Sequence, residues 1–567
     1  MFKTIPNTTH EFISWSWEQI EPYFQDLLNR PLNSTNVARW LADWTRLADL
    51  LEETFSRLSV ATTLDTNDEE AERRYKKFLD EIYPPAQATE QKLKEKLLNS
   101  GLKPEGFEIP LRNIRAQADL FRDANLPLLS EEIKLSMEYD KISGAQTVTW
   151  EGQEITVEQM RPFLQETDRA RREKAWRLAA ERQLADRETL NNLWQKLLKL
   201  RLQIAANADK PDYRAYRWQQ FMRFDYSPED CLRFQQAIEA VVVPAAERIY
   251  KKRRKRLDVE TLRPWDLDVD PLGRDPLRPF TSVDELEGTV ENIFQHVDPQ
   301  LGHYFGIMRK EGLLDLDNRK GKAPGGYCTQ FNVVRRPFIF MNAVGLHDDV
   351  QTLLHEGGHA FHVFETRNLP YNQQLQMGME FAEVASMGME LLASPYLMES
   401  QGGFYPQKEA ARARIEHLEG AILFWPYMAV VDAFQHWVYE NPTQANDPAK
   451  CDAQWAQLWK RFMCGVDWSG LEQEMTTGWQ RKLHIFQVPF YYVEYGLAQL
   501  GAMQVWRNAL EDQAAAVAAY RKALSLGGTQ PLPQLFEAAG ARFAFDADTL
   551  GAAVELAEAT IEKLEAV

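Results

Sequence analysis

The pentapeptide His355-Glu356-Gly357-Gly358-His359 sets two imidazoles four residues apart with a carboxylate between them. On a helix, residues at that spacing differ by about 40° around the axis and lie one turn apart, so both rings can reach one ion. Glu356 then projects beside that ion towards a bound water, which supplies two ligands and a base for metal-assisted hydrolysis. The flanks favour a helix. Asp348-Asp349 can cap its start, and Val350, Leu353, Leu354, Ala360 and Phe361 provide an apolar surface. The chain has only ten histidines in 567 residues, so a chance match is uncommon. Gly357 and Gly358 argue further against an ordinary exposed helix. Each costs roughly 1 kcal/mol relative to alanine in a helix interior, so another backbone or a ligand is expected to approach closely there.

A catalytic zinc takes three protein ligands and keeps a fourth position for water. Glu365 is excluded as the third, being about 80° off the histidine face and about 15 Å along the axis. His362 lies about 60° from the His359 direction and reads as a packing residue or a support behind a ligand. The ligand must come from a second helix crossing the first. Residues 373–397 offer one, carrying Glu380, Glu383 and Glu390. Glu383 and Glu390 share a face to within about 20°, whereas Glu380 stands about 60° from Glu383. Two carboxylates on one face suit a metal ligand plus an acceptor that orients a ligand imidazole. Spacing alone leaves Glu380 and Glu383 both open as the ligand.

The surrounding chain must position these groups, and most of it reads as helix. Residues 36–58, 68–100, 158–205 and 407–439 are long, rich in good helix formers and sparsely punctuated. Residues 147–157 carry β-branched side chains on both sides of Gly152, as a hairpin does. Residues 325–342 open with Gly325-Gly326-Tyr327 and close with Phe338-Ile339-Phe340-Met341, a small sheet directly before the metal motif. The strand at 338–341 is expected to offer its edge to an extended peptide. No repeat period or Ser/Gly linker divides the chain. A helical lobe over residues 1–150 and a catalytic region over 151–567 are the expected division.

A formal net charge of −18 disfavours nucleic acid and anionic lipid as partners, because their phosphates would repel the protein. The longest apolar run, residues 421–431, contains Pro426 and falls far short of the ~20 residues a membrane span needs. The first residues lack the basic-then-apolar layout of a secretory signal. Four cysteines, Cys231, Cys328, Cys451 and Cys464, form neither a disulfide framework nor a metal knuckle, and read as reduced thiols of a cytoplasmic protein. The basic run 251–256 reads as a solvated helix face. Asp266-Leu267-Asp268-Val269-Asp270 lacks the glycine and the glutamate of a calcium loop. Nothing in the sequence signals an oligomeric state.

Taken together, His355-Glu356-Gly357-Gly358-His359-Ala360-Phe361-His362 and Phe381-Ala382-Glu383-Val384-Ala385-Ser386-Met387-Gly388-Met389-Glu390 resemble the thimet oligopeptidase and oligoendopeptidase F family of zinc metallopeptidases. The likeness is closer to the bacterial Pz-peptidase-like branch. Leu262-Arg263-Pro264-Trp265-Asp266-Leu267, Lys320-Gly321-Lys322-Ala323-Pro324-Gly325-Gly326-Tyr327-Cys328 and Pro489-Phe490-Tyr491-Tyr492-Val493-Glu494-Tyr495-Gly496 match as well. The resemblance covers residues 260–500; residues 1–150 share only a helical texture. It implies a mostly α fold of two helical lobes around a deep substrate channel, with a small β-sheet beside the metal helix. It implies one Zn2+ per chain on His355, His359 and Glu383, which selects Glu383 over Glu380. Glu356 is then the general base and Glu390 the carboxylate behind a ligand imidazole. His484, Tyr492 and Tyr495 would complete the catalytic set, with Tyr491 as an alternative to Tyr492. Gly325, Gly326, Tyr327, Phe338 and Tyr491 would lie along the substrate.

A zinc so held lowers the pKa of its water to near 7, and Glu356 accepts the proton as the water attacks a peptide carbonyl. Phenol and imidazole donors would meet the oxyanion. The implied activity is endopeptidase cleavage of short unfolded peptides. Two rival readings are a peptide-binding protein with a vestigial zinc site and a zinc hydrolase of non-peptide amides. Glu356 speaks against the first, because a binding module needs no base beside its metal. A strand able to pair with a peptide backbone speaks against the second.

Overall fold

The computed structural model describes residues 4–567 and is mostly helical. Eight helices bear on the site: α1 (Val37–Leu64), α2 (Glu69–Glu81), α3 (Tyr83–Asn99), α4 (Leu126–Gly144), α5 (His347–Glu365), α6 (Met379–Ala393), α7 (Gln407–Glu440) and α8 (Tyr492–Glu511). Five strands accompany them: β1 (Thr147–Trp150), β2 (Gln153–Thr156), β3 (Leu314–Asp317), β4 (Tyr327–Phe331) and β5 (Arg336–Ala343). No helix among the described residues is long and apolar enough to cross a membrane.

Several expected helices are shorter than their composition suggests. The stretch 68–100 divides into α2 and α3, because Pro84 and Pro85 fall in the first turn of α3 and cannot donate back into α2. The stretch 158–205 is broken twice. Asp168 caps Arg169–Ala185 through the backbone N–H groups of Ala170 and Arg171, and Asp186 separates that helix from Arg187–Asn207. The carboxylate helix expected over 373–397 is regular only as α6, entered through Gly378 in extended backbone and closed by a 3-10 turn containing Pro395.

Two apolar cores underlie the architecture. One gathers Phe12, Trp40, Trp44, Leu79, Leu93 and Phe107. The larger gathers side chains from Leu120 to Ile561, among them Trp194, Phe294, Phe361, Trp425 and Trp479. Helix α4 serves both, with Ile133 and Met137 packed on the first core and Leu135 and Tyr139 buried in the second. Between the two parts lies a cavity of about 650 Å³, walled by α1 and α3 on one side and by Tyr216, Gln220, Met222, Leu375 and Gln376 on the other.

The β1–β2 hairpin forms as expected, with Trp150 opposite Gln153. The sheet before α5 has a third strand that composition did not reveal: β3 pairs in parallel with β5, and β4 pairs antiparallel, giving the order β3-β5-β4. This corrects the expected docking edge. Both sides of β5 are occupied, so the strand carrying Phe338 has no free edge, and Phe338 itself is buried with Val60, Phe331 and Phe340 rather than lining a substrate path. Among the described residues, the edges facing away from β5 are those of β3 and β4, and of these β4 leads from Gly326 beside Glu356.

Candidate active site

Helix α5 begins where the Asp349 carboxylate accepts the backbone N–H groups of Val344 and Leu346. Its twin glycines explain how a second helix comes within reach. A Cβ at Gly358 would sit 2.4 Å from the carbonyl oxygen of Ala385 and 2.5 Å from Cα of Ser386, and one at Gly357 would sit 2.5 Å from the Phe294 ring. Backbone of α6 therefore lies directly on α5. Gly358→Ala should destabilise the protein by roughly 1–3 kcal/mol through overpacking against backbone that cannot swing aside. A denaturant midpoint equal to wild type would refute this account of the crossing.

At that crossing Glu383 Oε2 lies 3.2 Å from His355 Nε2 and 3.3 Å from His359 Nε2. The three ligand-type atoms all fall within 4.8 Å of one another. Both imidazoles keep some exposure, 20% and 16% of their side chains, whereas Glu383 keeps 2%. Burial alone would raise the Glu383 carboxyl, but the charge of His359 and hydrogen bonds from both rings hold it well below the usual carboxylate range. Tyr491 Oη donates to Glu383 Oε1 at 2.5 Å and Ser386 Oγ donates to Oε2 at 2.9 Å. Glu380 points elsewhere: its carboxylate accepts Tyr226 Oη at 2.5 Å and lies 3.4 Å from Arg223 Nε. Of the two carboxylates that spacing left open, Glu383 is the one that α6 turns towards the histidines of α5.

Glu390, seven residues on, lies 2.7 Å from His355 Nδ1 and so fixes the ring that would present Nε2 to an ion. Its other oxygen lies 3.0 Å from His417 Nε2 on α7. Glu356 is buried, and its Oε2 has no hydrogen-bond partner. Burial pushes its carboxyl up, partly offset by the two metal-motif histidines. A Cβ at Gly326 would lie 3.5 Å from Glu356 Oε1, so the start of β4 faces that carboxylate.

The late aromatic segment closes over this group. His484 Nε2 and Tyr495 Oη are 3.2 Å apart, and the Tyr495 ring lies 6.5 Å from that of His355. Burial and the neighbouring Lys482 push His484 down to about 3, so it is neutral near pH 7, and its Nδ1 has no partner. Burial, reinforced by Glu383, raises the Tyr491 and Tyr495 phenols well above their ordinary value and keeps them protonated.

The family model described as Peptidase family M3 matches residues 163–554, and that of the Peptidase M3 N-terminal domain matches residues 9–109. The chain belongs to Peptidase family M3. Oligopeptidase PepF of Bacillus subtilis is 24% identical over 332 residues, 57% of this chain and 47% of that protein. An oligoendopeptidase F homolog of Borreliella burgdorferi is 24% identical over 301 residues, 52% of this chain and 49% of that protein. The match thus spans about half the length of these curated relatives. A solved Pz peptidase A bound to an inhibitor is similar over 97% of both chains, with a TM-score of 0.90 at 27% identity. Oligoendopeptidase-F from Enterococcus faecium shares the fold at a TM-score of 0.63 and 15% identity, over 98% of this chain and 99% of that one.

Within this M3 fold, some expected site residues stand apart from the cluster. Tyr492 is 5% exposed and packs among Phe424, Tyr427 and His484. Tyr491, not Tyr492, reaches the Glu383 carboxylate, because consecutive residues entering α8 point about 100° apart. Tyr327 stacks on Phe340 and its hydroxyl meets Thr63 Oγ1 at 2.6 Å, so its ring is committed to the fold. Gly325 adopts φ +88°, the left-handed turn that leads into β4. His362 is buried beside Phe381, and burial pushes it down to about 3. Asp266 binds Arg169 and Arg172, and Asp270 binds Arg274 and Arg412, so these aspartates serve ion pairs.

Residues that sequence reasoning missed include His417, Ser386 and Arg223. Arg223 donates to Glu494 Oε1 and to the carbonyl of Phe490, each at 2.6 Å. It thereby braces Phe490, whose φ of +67° is unusual for a bulky residue, next to Tyr491. The partners of Arg223 lie far away in sequence and that of His417 lies on another helix, whereas Ser386 stands one turn from Glu383 on α6. Cys231, Asp432 and His436 form another ligand-type group, but all three are buried and leave no room for substrate.

Proposed function

We propose that this chain is a cytoplasmic, zinc-dependent endopeptidase that hydrolyses internal bonds of short unfolded peptides, with Glu356 as general base. The observation that carries this reading is the convergence of His355, His359 and Glu383 within 4.8 Å beside a buried carboxylate oxygen, Glu356 Oε2, that lacks a partner. The donor set fits zinc: two imidazoles and one carboxylate, with solvent access on the histidine side for a fourth ligand. When bound, one Zn2+ per chain would act as a Lewis acid and lower the pKa of its water.

The remaining steps belong to the protein's own side chains. Glu390 holds His355 by Nδ1, while Tyr491 and Ser386 fix the Glu383 carboxylate. Glu356 takes the proton of the attacking water and passes it to the leaving amine. Between those two transfers, as the water oxygen bonds to the carbonyl carbon and before the C–N bond breaks, negative charge builds on the former carbonyl oxygen. Tyr495, with neutral His484 behind it, is the donor placed to meet that charge without reorganisation. An extended peptide would reach the base along Gly325, Gly326 and the free edge of β4.

The test is mass-spectrometric mapping of cleavage in a mixed pool of short peptides, with chelator and after zinc is restored. Internal cuts that vanish with chelator and return with zinc are expected. Cleavage indifferent to chelator, or no cleavage by metal-loaded protein, would defeat the proposal.

A further inference from the structure

The cavity of about 650 Å³ lies between α1 and α3 on one side and β4 on another, and its lining stops short of His355, His359 and Glu383. One wall contains Thr329 and Gln330 of β4, whose outer edge has no strand partner among the described residues. The opposite wall contains Gln220 and Met222, and Phe221 between them lies against Tyr491, which binds Glu383. The cavity therefore runs along the strand edge that leads from Glu356.

Charges in this cavity are unevenly paired. Glu90 has Lys94 at 3.4 Å and Arg122 has Asp209 at 2.7 Å. Just behind the wall, Asp49 has Arg335 at 3.2 Å and Glu53 has Arg57 at 2.8 Å. Glu52 has no cationic partner within ion-pair distance among the described residues. It accepts amide N–H groups from Asn332 and, at 2.8 Å, from Asn372, both on Oε2. Oε1 has no protein donor among the described residues. Glu52 is exposed to the cavity, and the protein enclosing that cavity pushes its carboxyl up to about 8, with Lys94 near enough to oppose the rise. A carboxyl that faces a confined cavity without an ion-pair partner is the group there that an incoming cation would ionise and hold.

Position gives that cation an identity. From Gly326, beside the base, to Asn332, beside Glu52, is about six residues of extended chain, or ~20 Å. A peptide with its amino terminus at Glu52 would run antiparallel to β4, the more stable strand pairing, and bring a bond about six residues on to Glu356.

We propose that Glu52 binds the α-ammonium group of peptide substrates, so that the cut is measured from the free amino end. This rests on the peptidase reading and adds a specificity determinant to it. The test uses peptides lengthened one residue at a time at the amino end, each with a free or an acetylated amine. With the wild-type protein, the cut should stay about six residues from the free amine as the peptide grows. Acetylation should raise KM roughly tenfold or more with little change in kcat, the size expected for a lost charge pair in a confined site. In Glu52→Gln the free and acetylated peptides should have equal KM. The acetylation effect is read on the unaltered protein, so the test survives a variant that folds poorly. Cuts held at a fixed distance from the carboxyl end, or acetylation without effect, would overturn the inference while leaving the peptidase reading intact. Failure to cut any peptide would overturn both.

Discussion

Glu356→Gln should lower kcat by about 10^3- to 10^4-fold while zinc content and folding stay at wild-type levels. Removal of a positioned general base costs up to about this factor. The effect should lie near the upper end here because no neighbouring group can substitute. Glu356 Oε2 is buried without a partner, and the closest carboxylates, Glu383 and Glu390, are already engaged by the histidines. Glutamine keeps the shape and one acceptor but cannot take the proton. Turnover of a quenched peptide, measured beside metal content, checks this. Wild-type rates in a zinc-loaded Glu356→Gln protein would remove the base from the mechanism.

Glu383→Ala should abolish zinc retention through dialysis, and activity should disappear with the metal. The substitution removes the one anionic group within reach of both His355 Nε2 and His359 Nε2. It also strips Tyr491 Oη of its acceptor and leaves Ser386 Oγ only the backbone carbonyl of residue 383, so no neighbouring anion refills the position. Glu390→Gln supplies the internal contrast. It leaves all three ligands in place and removes only the carboxylate behind His355, so zinc affinity should fall by about 10- to 100-fold instead. Competition against a chromophoric chelator separates the two outcomes. Equal affinities for both variants would show that Glu383 is not a ligand.

The helix bearing the histidines was legible because its evidence is local. Capping aspartates, an apolar face and a four-residue spacing all sit within one stretch of chain. The glycine pair was equally readable as a demand for close approach, met by the backbone at Ala385 and Ser386. Helix lengths were less legible. Residues 68–100 and 158–205 have helical composition throughout, and breaks at Pro84-Pro85 and at Asp168 and Asp186 decide where each helix stops. The strand β3 escaped notice because Leu314–Asp317 is short and charged, and its pairing with β5 removed the docking edge expected beside Phe338.

From the sequence alone came the pair of imidazoles, the glutamate between them and the expectation of a carboxylate from another helix, all consequences of geometry within a turn or two of helix. The tertiary structure decided which carboxylate and tyrosine face the histidines, that His417 supports Glu390, and which strand keeps a free edge. These depend on how α5, α6, α7 and α8 rotate against one another and on pairing between distant segments. No local spacing encodes such rotations, because they are set by the packing of the whole core.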